Sequence, residues 1–109
     1  MASIEDFQKI DMRVGRIVAA ESFPEARKPA YRLRIDFGPL GERSSSAQLT
    51  RRYRPEDLVG RLCIAVVNLP PRQVGPLRSE VLVLGAVPDA TDVILLAPEL
   101  DVAPGTPIA

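Results

Sequence analysis

"YRLRIDFG", residues 31–38, alternates without a break. Tyr31, Leu33, Ile35 and Phe37 fall on one side of an extended chain, and Arg32, Arg34 and Asp36 on the other. That pattern predicts a half-buried strand with a charged outer face, ended by Gly38-Pro39. Towards the N-terminus, "MRVGRIVAAESF" (12–23) is apolar at Met12, Val14 and Val18 on one phase, then at Ile17 and Ala19 on the other. The phase change beside Gly15 predicts a long strand with a bulge or sharp coil, as at a barrel corner. "PEARKPA" (24–30) separates the two strands as a loop. Before them, "SIED" (3–6) predicts a short helix ending before Asp11, with Ser3 as its cap and Asp6 completing a capping box.

Towards the C-terminus, "SSSAQL" (44–49) predicts a third, polar strand. "RPEDLVG" (54–60) reads as a helical turn, with Pro55 at its first position and Gly60 after its end. "RLCIAVVNL" (61–69) and "SEVLVLGAV" (79–87) are apolar on both phases, which predicts strands covered on both faces. "DVILLAP" (92–98) is a final strand candidate, followed by the Pro- and Gly-containing tail "ELDVAPGTPIA" (99–109). The whole is an all-β pattern of about five short strands with a small helix between the third and fourth. A small closed barrel of the OB-fold kind fits it, with short helices and terminal extensions; a sandwich is the alternative that strand count alone leaves open. The length of 109 residues suits one domain, 1–109, and the 46% hydrophobic content suits a packed core.

No apolar run approaches the ~20 residues needed to cross a bilayer. "MASIEDFQKI" is acidic where a signal peptide would be basic, so the expectation is a cytoplasmic protein with no membrane insertion. One cysteine and no histidine exclude a disulfide within the chain and the common zinc ligand sets. Cys63, between Leu62 and Ile64, reads as a small buried hydrophobe. No phosphate loop, nucleophile elbow or metal cluster is present, so neither catalysis nor a cofactor is expected. Net charge is zero, yet residues 1–79 hold all 14 basic side chains against nine acidic ones, a balance of +5, and residues 80–109 carry −5. Either one face is basic, or the acidic C-terminal part folds back and neutralises it.

"DMRVGRIVAAESFPEARKPAYRLRIDFG", "SSAQLTRRYRPEDLVGRLCIAVVNLPPR" and "SEVLVLGAV", in this order and ending in "VAPGTPI", resemble the CsaA-type export chaperones. These lie within the wider tRNA-binding-domain group, which includes C-terminal domains of methionyl-tRNA synthetases. The resemblance covers nearly the whole chain. It implies an OB-fold, a homodimer and no catalysis, with two kinds of partner: tRNA or similar RNA, and unfolded or pre-export polypeptide.

OB-folds bind extended chains across one barrel face, with basic groups on the backbone and flat side chains on bases. Arg51 and Arg52 supply charge, Tyr53 between them and Arg54 a stacking surface, and Ser45, Ser46 and Gln48 hydrogen-bonding groups. Against this stands a structural reading in which Tyr53 plugs the core and the arginines pair with Glu56 and Asp57. The resemblance places Asn68, Arg72 and Ser79 on the nucleic-acid side, although Asn68 also suits a strand-end cap. Pro70 and Pro71 stiffen the loop that presents Arg72. Two features depart from the RNA-binding pattern: few lysines here, and Glu80 directly after Ser79, a carboxylate that disfavours phosphate and favours peptide. Phe23, Tyr53, Leu69, Val74 and Leu77 are the apolar candidates for a polypeptide surface. The surplus apolar residues of "EVLVLG", with the N-terminal helix and the tail, suit dimerisation.

Overall fold

The computed structural model describes residues 1–109. In chain order the elements are α1 (Ile4–Gln8), β1 (Met12–Ser22), β2 (Tyr31–Asp36), β3 (Glu42–Ala47), α2 (Pro55–Leu58), β4 (Leu62–Val66), β5 (Arg72–Val74), β6 (Leu77–Ser79), β7 (Leu82–Val83), β8 (Gly85–Asp89) and β9 (Asp92–Leu95). Five strands form one antiparallel sheet in the order β3-β2-β1-β4-β7, with β5–β6 and β8–β9 as separate hairpins. The two ends of the sheet meet where Glu80 N donates to Ser44 O at 2.9 Å, giving a nearly closed barrel. With α2 between the third and fourth barrel strands, this is the expected OB arrangement.

The alternation of 31–37 fills the barrel: Leu33, Ile35 and Phe37 are at most 1% exposed, while Arg34 is exposed. Leu58 of α2 is wholly buried among the same side chains. Burying such a leucine contributes ~1.5–3 kcal/mol, which is what holds so short a helix in place. Pro55 opens α2, and the Asp57 carboxylate accepts from Arg54 N at 2.9 Å. At α1 the capping box is formed as read, Asp6 N donating to Ser3 Oγ and Ser3 N to Asp6 Oδ2.

β1 divides its length between two partners: Met12–Arg16 pairs with β4, and Arg16–Ser22 with β2. Its register slips between Ile17 and Ala19, not beside Gly15, and Val18 is turned outward. Gly15 serves packing instead. A Cβ there would lie 2.5 Å from Ile35 Cγ2 and 2.7 Å from Phe37 Cε1, so only glycine lets β1 lie this close to the core. Where β2 does not reach β1, the tail takes its place: Gly105 N donates to Val14 O, Val14 N to Thr106 O, and Ile108 N to Met12 O.

Two further expectations need correction. "SEVLVLGAV" is not one strand covered on both faces; it is divided among β6, β7 and β8. Val81 is buried, but Leu82 is 51% and Val87 61% exposed, because pairing with β4 lasts only for Leu82–Val83 before the chain leaves the barrel. Phe23 is also unavailable as a surface residue: it is 3% exposed, under the Arg32 guanidinium.

Candidate ligand-binding cleft

A cleft of about 810 Å³ opens between the 24–30 loop, the end of β3 and the β5–β6 hairpin. Four of the residues singled out from the sequence meet in it: Ser46, Gln48, Arg72 and Ser79. Arg72 leads β5, directly opposite Ser79 of β6, and Ser79 Oγ accepts from Ser46 N at 3.1 Å. Leu69 and Val74, two of the apolar candidates, line the same cleft, as does Leu82.

The other five take part in bonding within the fold. Ser45 is wholly buried and donates its hydroxyl to Val81 O at 3.1 Å, across the barrel seam. Asn68 ties the end of α1 to the exit of β4, accepting from Asp11 N and donating to Lys9 O, both at 2.8 Å. Tyr53 is half-buried against the core; its hydroxyl accepts from Leu95 N, and Arg61 lies over its ring with 5.5 Å to the centroid. Arg51 donates to both oxygens of Asp89, at 3.0 and 3.2 Å, and Arg52 forms a two-point pair with Asp92. Only Arg54 uses the neighbours expected from sequence, Glu56 and Asp57.

The acidic C-terminal part therefore folds back on the basic part, with Asp101 on Arg16 as a third pair. Hydrogen bonds from Arg52 hold the Asp92 carboxyl below its usual pKa. At Asp89 the Thr91 backbone N–H does most of the lowering, with Arg51 adding to it. Four cationic side chains are left with neither an ion pair nor a hydrogen bond: Arg27, Lys28, Arg72 and Arg78. Three of these, Arg27, Lys28 and Arg72, line the cleft. Arg27 and Lys28 lie in a segment read from sequence only as a loop; the available signal was two adjacent cations held between Pro24 and Pro29.

Glu80 also borders the cleft, but its carboxylate is engaged. Oε1 accepts from Ser44 N at 3.0 Å and from Ser44 Oγ at 2.9 Å, and the backbone bond is the main reason its pKa is lowered. Its charge thus serves the barrel seam as well as the cleft rim. No group of three or more metal-ligating side chains is assembled anywhere in the chain. No helix is long and apolar enough to cross a membrane.

Residues 12–107 match the family described as "Putative tRNA binding domain". The chain belongs to this family. Among solved structures, the tRNA-binding-domain fold seen here is similar to that of the chaperone CsaA from Bacillus anthracis, at 56% identity and TM-score 0.97, covering 100% of this chain and 99% of that one. CsaA from Picrophilus torridus is similar at 47% identity and TM-score 0.92, with both chains covered completely. Among curated proteins, the methionine–tRNA ligase 1 of Sorangium cellulosum is 44% identical over 94% of this chain, and the methionine–tRNA ligase of Porphyromonas gingivalis 38% identical over 97%. The chain spans 14% and 15% of the length of these two ligases.

Proposed function

We propose that this chain is a homodimeric, non-catalytic binding module, a single domain over residues 1–109, that holds unfolded or pre-export polypeptide and also takes tRNA. The observation that carries the reading is the cleft, where unpaired Arg27, Lys28 and Arg72 stand beside Leu69, Val74 and Leu82. Similarity to CsaA along the full chain supports the polypeptide arm. The dimer is supported by α1, which buries none of its side chains and leaves Ile4 64% and Phe7 40% exposed. Such a module works in the cytoplasm without a cofactor.

A second reading makes tRNA the main ligand, favoured by family membership and by the clustering of free cations. The two arms are separated by experiment. The chaperone arm expects suppression of aggregation of a heat-denatured client at equimolar dimer, weakened by Leu69→Ser; no suppression refutes it. The tRNA arm expects retardation of tRNA with a salt slope that falls by roughly 0.9 when one phosphate contact is removed by Arg72→Ala. Arg51→Ala is expected to leave that slope unchanged, because Arg51 is held by Asp89. Absence of retardation at low salt refutes the tRNA arm.

A further inference from the structure

We propose that a polypeptide bound in the cleft adds as a strand to the outer edge of β3 at Ser46–Gln48, and that the Ser79 hydroxyl holds that edge until the guest arrives. The inference rests on the polypeptide arm of the reading above. The backbone bond that closes the barrel lies at Ser44, where Glu80 N donates to Ser44 O. Two residues further along β3, the outward N–H of Ser46 meets no backbone carbonyl, only the side-chain oxygen of Ser79 at the end of β6. Beyond it, Gln48 is exposed and lines the cleft. A guest carbonyl can therefore replace one side-chain acceptor without disturbing the pairing of β3 with β2 or the closure at Ser44.

The walls define the guest. Successive side chains of an extended peptide point to opposite sides. Arg27, Lys28 and Arg72 favour carboxylates in such a guest, with Glu25 and Glu80 on the same lining to limit their number, and Leu69, Val74 and Leu82 favour apolar residues. No aromatic side chain lines the cleft, so unstacked bases would lack a platform there, which favours peptide over single-stranded RNA.

The test uses three fluorescein-labelled octapeptides of alternating glutamate and leucine: one unmodified, and two with backbone N-methyl groups on opposite phases. Binding to the intact protein is read by fluorescence anisotropy. Strand addition expects one methylated phase to weaken binding at least tenfold and the other to change it little. Equal binding of all three overturns strand addition while leaving the polypeptide arm standing. No binding of the unmodified peptide, with tRNA still bound, overturns both. Ser79→Ala gives a second readout: removing the stand-in acceptor is expected to tighten the unmodified peptide about threefold. A loss of affinity would instead make Ser79 an ordinary contact and overturn the proposal.

Discussion

Replacing Glu80 with glutamine keeps an acceptor oxygen and removes its charge at the point where side chains join the barrel. Oε1 accepts from both Ser44 N and Ser44 Oγ, at 3.0 and 2.9 Å. Hydrogen bonds to an ionised acceptor contribute ~1.5–3 kcal/mol each, against ~0.5–1.5 for neutral pairs. Two such bonds, made to one oxygen at a partly solvated rim, place the expected loss at the lower end, about 1–2 kcal/mol for Glu80→Gln. For a chain of this size that corresponds to a fall in Tm of roughly 5–10 °C.

The pH dependence has a definite sign. The Ser44 backbone N–H lowers the carboxyl pKa most; burial opposes it, and the Ser44 hydroxyl, Arg43 and Arg34 add to the lowering. A pKa lowered in the folded state stabilises above the unfolded value, ~4.3 for glutamate, and that stabilisation is lost as pH falls through the folded value. The gap between wild type and variant is therefore expected to be full at pH 7 and to close below about pH 4. Thermal melts followed by circular dichroism across this range, at one protein concentration because association would couple to stability, measure it. A variant that melts with the wild type at pH 7, or a gap unchanged at pH 3, would refute the reasoning.

Gly15→Ala is expected to cost about 1–3 kcal/mol by forcing a methyl group against Ile35 and Phe37, measured by urea unfolding; an unchanged midpoint would mean that β1 moves freely. Cys63, whose pKa burial pushes up to about 12, is expected to resist iodoacetamide in the native protein and react on denaturation; mass spectrometry reads both states, and native labelling at the rate of a free thiol would contradict the packing. Asn68→Ala is expected to release the junction between α1 and β1, raising hydrogen exchange at residues 9–11 while the barrel melts close to wild type.

What was legible in the sequence depended on how far each residue's determining partner lies along the chain. The faces of Tyr31–Phe37 are set by the strand's own alternation, and Ser3–Asp6 and Pro55 act within one helical turn, so all three could be read directly. Whether Arg51 faces a ligand or a carboxylate depends on Asp89, 38 residues away, and the burial of Ser45 depends on Val81, 36 residues away. The tail is the same case: "VAPGTPI" looks like an extension until β2 is seen to stop short of Val14 and leave an edge for it. Net charge misleads for this reason too. A total of zero records equal numbers of acids and bases but not which of them meet. Once Asp89, Asp92 and Asp101 have neutralised Arg51, Arg52 and Arg16, three of the four cations without a partner stand around one cleft. By taking up the arginines that stand elsewhere, the acidic C-terminal part leaves the cleft, with its three unpaired cations against Glu25 and Glu80, as the place where free positive charge gathers.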